Sequence, residues 1–159
     1  MTIETHSAEE TREFAAALAV VAEAGDRIAL IGPLGAGKTQ FAKGFGRGLG
    51  VAEVVNSPSF TLMAEYSGRL ALFHQDLYRL TGAEEALAGG LVDERQQDGV
   101  TLTEWGERLP SELDPGRVTV SIDVLSDDER RITVSPARDD QHRYVAAAEA
   151  WASDAGARR

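Results

Sequence analysis

Residues 32–39 read Gly-Pro-Leu-Gly-Ala-Gly-Lys-Thr, a glycine followed four residues later by Gly-Lys-Thr. The pattern is a phosphate cradle, the P-loop, and each part has a physical reason. The small residues Gly32, Gly35, Ala36 and Gly37 let backbone N–H groups converge on phosphate oxygens. A helix starting at Lys38 would present its N-terminus, where unpaired donors and the macrodipole favour anions. Lys38 would reach the outer phosphates as a point charge, and the Thr39 hydroxyl would ligate Mg²⁺. A chain of this length and ordinary composition matches the pattern by chance in roughly 1 case in 200. Its flanks narrow this further, because an apolar run precedes it and a helical pattern follows.

That preceding run, Arg27 to Ile31, reads as a buried strand. The following helix is expected from Lys38 to about Leu49, with Phe41, Phe45 and Leu49 as an apolar stripe. Gly44 and Gly48 lie on another stripe, where lost helix propensity permits close backbone packing. Upstream, Ser7 and Glu10 form a capping-box pattern for a first helix over about 7–23, ended at Gly25. Val54-Val55 is expected to be extended, with Ser57-Pro58 breaking it. Strands are expected at Phe60 to Tyr66, Leu70 to His74 and Val100 to Glu104. A short helix is expected at Gly82 to Leu87, and a hairpin joins Arg117 to Val124 with Arg130 to Ser135. The Ala-rich stretch over about 144–152 reads as a helix closing one domain over 1–152, with 153–159 a loose tail.

A P-loop enzyme also needs an acid near Mg²⁺, and two strand ends offer one. Asp76 follows Leu70 to Gln75, and Glu104 follows Val100 to Thr103. Val100, Leu102 and Glu104 share one face by alternation, which makes Glu104 the better match to a strand beside the P-loop strand. An acid there could hold the metal, directly or through water, or polarise the attacking water. Spacing alone leaves a solvated acid equally open at both positions. His74 is a third polar group, whose ordinary reading is a structural hydrogen-bonder. Trp105 reads as core or a partner anchor rather than a base-stacking platform. The Ser57-Pro58-Ser59-Phe60 loop lies about 20 residues past the P-loop, a usual place for a γ-phosphate-sensing switch with a hydroxyl on Mg²⁺. Ser59 or Thr61 would supply that hydroxyl, and a strand-initiating turn is the equal alternative.

The formal charge of the 159-residue chain is −10, and its basic residues are scattered. That field opposes nucleic acid, so strong direct tRNA or DNA binding is not expected. The absence of cysteine excludes disulfides, thiolate zinc sites and cysteine nucleophiles. The 43% hydrophobic content allows one core. No apolar run approaches a membrane span, and the N-terminus shows no signal pattern, so the expected location is cytoplasmic.

Four segments carry a resemblance. They are the P-loop run Gly32 to Phe41, Ser-Pro-Ser-Phe-Thr-Leu at 57–62, His-Gln-Asp-Leu-Tyr-Arg-Leu at 74–80 and Thr-Glu-Trp-Gly-Glu-Arg-Leu at 103–109. In this order and spacing the chain resembles the TsaE (YjeE) family, the ATPases of bacterial tRNA threonylcarbamoyladenosine biosynthesis, over about residues 4–135. The resemblance implies ATP/ADP and Mg²⁺ as ligands. It makes Lys38 the phosphate lysine, Thr39 the magnesium threonine, Glu104 the second metal-associated acid and Asp76 the important acid of its motif. It makes the loop at 57–60 switch I and brings the segment Ala8 to Thr11 and Arg130 to the nucleotide. Gln40, within the cradle, stands where a second Thr is usual. Pro33 replaces a usual Asp, Ser59 a usual Thr and Gly106 a usual Pro. The implied fold is a three-layer α/β P-loop domain with a mixed parallel and antiparallel sheet. The implied role is ATP hydrolysis driving turnover of a tRNA-modifying complex, with TsaB and TsaD proteins as partners. The rival that the P-loop fits equally well is a small-molecule kinase, against which stands the lack of an Arg-rich lid. A GTPase is disfavoured by the lack of an Asn-Lys-x-Asp segment.

Overall fold

The computed structural model describes residues 1–58, 61–80 and 90–158. Seven strands form one sheet: β1 (Thr2–Thr5), β2 (Arg27–Ile31), β3 (Met63–Tyr66), β4 (Ala71–Asp76), β5 (Gly99–Glu104), β6 (Val118–Val124) and β7 (Arg130–Ser135). Their spatial order is β1-β7-β6-β2-β5-β4-β3. The central pairs β6–β2, β2–β5 and β5–β4 are parallel, and the outer pairs β1–β7, β7–β6 and β4–β3 are antiparallel. The mixed α/β sheet expected from the sequence is therefore present. The P-loop leaves β2 at the middle of the parallel part, where strand ends point toward a ligand crevice.

Helices α1 (Ala8–Val20), α2 (Lys38–Gly48) and α3 (His142–Arg158) share one hydrophobic core with one sheet face. Phe14, Leu18, Phe41 and Phe45 pack there on Ile28, Leu30, Leu102 and Val120, all essentially sealed from solvent. Ser7 caps α1, its hydroxyl accepting from the Glu10 N–H at 3.0 Å. The Glu10 carboxylate reaches back to the His6 N–H at 3.2 Å, one residue before the capping-box position. Gly44 and Gly48 do permit close helix packing. A Cβ at Gly44 would stand 2.1 Å from the Arg12 carbonyl oxygen, and one at Gly48 would stand 2.5 Å from that of Ala16. The opposite sheet face is covered, among the described residues, by irregular chain with short 3-10 turns at Glu94–Asp98, Gly106–Arg108 and Ser111–Leu113. There the buried Gln75 accepts from Thr103 at 3.1 Å and donates to the Leu91 carbonyl at 2.6 Å, tying β4 and β5 to that cover.

Three local expectations differ from what is found. The strand expected from Phe60 begins at Met63, because Leu62 adopts a left-handed φ of 66° and turns the chain. Val54-Val55 joins no strand. The loose tail expected from residue 153 is, through Arg158, the end of α3, and Ala155 is buried. Helix α3 is anchored by Trp151 on Phe14, ring centroids 5.3 Å apart, and by the buried Tyr144, whose hydroxyl donates to Asp26. Burial and that carboxylate push the Tyr144 hydroxyl pKa up. The helix expected at Gly82 to Leu87 lies outside the described residues, as do Ser59 and Phe60. No helix among the described residues is long and apolar enough to cross a membrane.

Candidate active site

The P-loop turns on two left-handed glycines, Gly35 with φ 81° and Gly37 with φ 104°. A side chain at either position would be strained, so glycine is required by the turn itself. Gly32 is required by space: a Cβ there would stand 2.6 Å from the Ile122 carbonyl oxygen of β6. Gly37 precedes α2 with no side-chain cap, leaving the first-turn N–H groups of α2 without a side-chain acceptor there. Lys38 is buried. Its ammonium donates to the carbonyls of Gly32 and Pro33, the latter at 3.0 Å, and lies 3.8 Å from the centre of the Trp105 ring. Burial pulls the Lys38 pKa down, and the charges of Glu104, Glu107 and Asp76 oppose that shift.

The two candidate acids stand side by side. In the parallel β4–β5 pair Asp76 is registered with Glu104, and on the other side of β5 Glu104 is registered with Leu30 of β2. Both carboxylates therefore end adjacent strands next to the P-loop, and both residues are buried. Glu104 Oε1 accepts from the Thr39 hydroxyl at 3.1 Å, and Oε2 lies 2.6 Å from His74 Nε2. Asp76 accepts from the Ser57 hydroxyl and from the Tyr78 N–H, the latter at 3.0 Å. A cleft of about 530 Å³ opens over this group, lined by Leu34 to Gln40, Ser57, Asp76, Tyr78, Arg79, Glu104 and Trp105. Sequence reasoning passed over Tyr78 and Arg79, although both belong to the segment at 74–80.

A smaller cleft of about 150 Å³ lies across the P-loop and shares Gly35, Ala36, Gly37 and Gln40 with the first. Ala8, Thr11 and Arg130 line it together with Ser7, Asp127 and Asp128. Arg130 donates to the Ala36 carbonyl at 2.9 Å and to the Gly35 carbonyl at 3.3 Å, fastening the β6–β7 hairpin to the P-loop. Gln40 accepts from Arg12 of α1. Thr11 shares a 2.8 Å hydroxyl contact with Thr5. The N-terminal segment and Arg130 of β7 thus border a smaller recess that shares only Gly35, Ala36, Gly37 and Gln40 with the cleft over Glu104 and Asp76.

The donor set can be tested against a divalent ion. Thr39 and Glu104 offer hard oxygens in mutual contact, with Asp76 abreast of Glu104. Among the described residues no group of three or more His, Cys, Asp or Glu side chains forms a cage for a metal. The Thr39–Glu104 pair is compatible with Mg²⁺, which takes one or two protein oxygens and completes its shell with waters and nucleotide phosphates.

Comparison with known proteins agrees with the geometry. The family model described as "Threonylcarbamoyl adenosine biosynthesis protein TsaE" matches residues 5–132. A tRNA threonylcarbamoyladenosine biosynthesis protein TsaE from Treponema pallidum is 44% identical over 131 residues, covering 82% of this chain and 97% of that protein. The protein of the same name from Bacillus subtilis is 44% identical over 130 residues, covering 81% of each. The crystal structure of Bacillus subtilis YdiB superposes with a TM-score of 0.73 at 35% identity, over 94% of this chain and 93% of that one. With a P-loop at the centre of a mixed sheet, two acids abreast beside it and a family match across most of its length, the chain belongs to the TsaE family.

Proposed function

We propose that this protein is an Mg²⁺-dependent ATPase of tRNA threonylcarbamoyladenosine biosynthesis, working with TsaB- and TsaD-type partners to support turnover of the modifying complex. The observation that carries the ATPase reading is the contact of Thr39 with Glu104 at the mouth of the P-loop. A hydroxyl and a carboxylate in contact beside the cradle of residues 32–39 are the hard-oxygen pair that would hold Mg²⁺ next to the phosphates of a bound nucleotide. Lys38 and the N–H groups of the P-loop bind the outer phosphates. Bound Mg²⁺ would neutralise charge developing on the phosphoryl oxygens. Glu104 and Thr39 hold the metal side of the site, and Asp76 orients water or the switch segment through Ser57. Ala8, Thr11, Gln40 and Arg130 line the recess that receives the rest of the nucleotide. Family membership supports the pathway, because the relatives carry it in their names.

The net charge of −10 supports a protein that leaves tRNA to its partners. The test is steady-state ATP hydrolysis with and without the two partner proteins, alongside a tRNA titration near physiological salt. Hydrolysis that rises with the partners, and tRNA binding that appears with the complex, are expected. No hydrolysis in any mixture, or tight tRNA binding by the isolated protein, would overturn the respective half of the reading.

Thr39→Ala removes the hydroxyl next to Glu104. It is expected to weaken Mg²⁺-ATP binding by roughly tenfold or more, and Mg²⁺-free ADP binding little, since the Thr39 hydroxyl would serve as a ligand of the metal rather than of the nucleotide. Calorimetric titration of both nucleotides checks this, and equal losses would argue against a metal role.

A further inference from the structure

His74 sits within β4, fully buried, and has no part in the roles proposed above. In the β4–β5 pair His74 is registered with Leu102 and Asp76 with Glu104. Alternation places all four side chains on the sheet face that meets α2. His74 therefore reaches Glu104 diagonally, its Nε2 at 2.6 Å from Oε2. The other oxygen of the same carboxylate, Oε1, takes the Thr39 hydroxyl. One oxygen of Glu104 is tied into the sheet and the other faces the cradle.

A carboxylate only accepts, so the proton in the His74 contact sits on Nε2. Nδ1 is buried and has no hydrogen-bond partner among the described residues. A buried ring nitrogen without a partner is a cost that filling space does not explain, because an apolar side chain would fill the same volume without it. What the ring supplies is one N–H aimed at Glu104. The glutamate needs it: its side chain has several rotatable bonds, and its neighbour across the pair is another carboxylate, Asp76, which repels it. The Thr39 hydroxyl alone comes from a different element and would have to serve a nucleotide as well.

We propose that His74 is the positioning residue of Glu104, fixing Oε2 so that Oε1 is presented to Thr39 and to a metal-bound nucleotide. This rests on the ATPase reading. Hydrogen-bond partners behind a metal-holding carboxylate commonly matter by about 10–100-fold in metal affinity or activity.

The test compares His74→Leu, His74→Asn and His74→Gln with the wild type. A Gln amide reaches the place of Nε2, and an Asn amide falls short of it. Four quantities are read: thermal melting, ADP affinity without metal, Mn²⁺ affinity in the presence of a non-hydrolysable ATP analogue by electron paramagnetic resonance, and ATP turnover. All variants are expected to keep metal-free ADP affinity within about threefold, while Leu and Asn lose roughly 10–100-fold in Mn²⁺ affinity and turnover. Gln is expected to stay within about fivefold of wild type in both. Wild-type Mn²⁺ affinity in the Leu or Asn variant overturns the positioning role. So does a Gln variant that fares no better than Asn. If Leu does not fold, the Gln and Asn pair decides alone. A wild type with neither metal-dependent nucleotide binding nor hydrolysis sinks the ATPase reading and this role with it, whereas a working wild type with indifferent variants sinks only this role.

Discussion

Lys38→Ala is expected to abolish measurable ATP hydrolysis and to weaken nucleotide binding while leaving the protein folded. The ammonium stands at the start of α2 in the lining of the cleft, and the proposed P-loop role assigns it to the outer phosphates. Without a nucleotide it is satisfied by the Gly32 and Pro33 carbonyls and by the face of Trp105. Those partners belong to the P-loop and to the end of β5, so the ammonium is poised between them. A phosphate would offer it a full anionic partner in their place. Removing one preorganised donor to developing charge costs on the order of 10²–10³-fold in rate, and here it also removes ground-state affinity. The fold should tolerate the change, because burial already disfavours the charge of Lys38, and its deletion takes away a partly desolvated cation rather than a core side chain. The measurements are turnover, ADP affinity and thermal melting together. Near-normal turnover in a folded variant would refute the P-loop assignment.

The cradle was legible because its physics is local. The glycines, the lysine and the helix that follows lie within one short stretch, and a single strand and helix pattern around them is enough to place it. Helix faces were legible for the same reason: the stripe of Phe41, Phe45 and Leu49 is buried, and the Gly44–Gly48 stripe is where α1 approaches most closely. What depends on pairing was not. Alternation could put Glu104 on the same face as Leu102, yet only the register of β4 against β5 sets Asp76 beside it, from a segment 28 residues away (104 minus 76). His74 looked isolated for that reason. Its partner is a residue that becomes a neighbour only in the folded sheet. Strand β1 went unread because four residues, Thr2 to Thr5, carry too little alternation to signal a strand, and its place is dictated by the edge of β7. Arg130 entered through family resemblance alone. The structure gives its physical reason, since the β6–β7 hairpin folds over the P-loop and the guanidinium closes on the Gly35 and Ala36 carbonyls. The length of α3 was underestimated because alanine, a good helix former, gives no amphipathic stripe that marks where a helix must stop.

Glu104→Gln is expected to leave metal-free nucleotide binding nearly intact and to lower hydrolysis by roughly 10²-fold or more, as loss of a key polar catalytic group does. The substitution isolates charge from geometry. The amide oxygen can accept from His74 Nε2 as Oε2 does now, and the amide N–H₂ can donate to the Thr39 hydroxyl where Oε1 now accepts. Volume, register and both contacts survive, so the melting temperature should change little. What disappears is a negative charge abreast of Asp76 and close to Lys38. Two effects then compete. Relief of repulsion between the two carboxylates, and between Glu104 and the incoming phosphates, favours binding. Loss of the anion on the metal side of the site removes support for Mg²⁺ and for the attacking water, which matters most in the transition state. The second effect falls on turnover and on metal affinity and the first on metal-free affinity, so single-turnover kinetics and nucleotide titrations with and without the metal separate them. The companion variant is Asp76→Asn, which keeps an acceptor for the Tyr78 N–H while its amide N–H₂ can donate to the Ser57 hydroxyl. A Glu104→Gln protein with wild-type turnover, beside an inactive Asp76→Asn protein, would exchange the two acids: Asp76 would then hold the metal side of the site, and the Thr39–Glu104–His74 chain would be a structural tie between α2, β5 and β4.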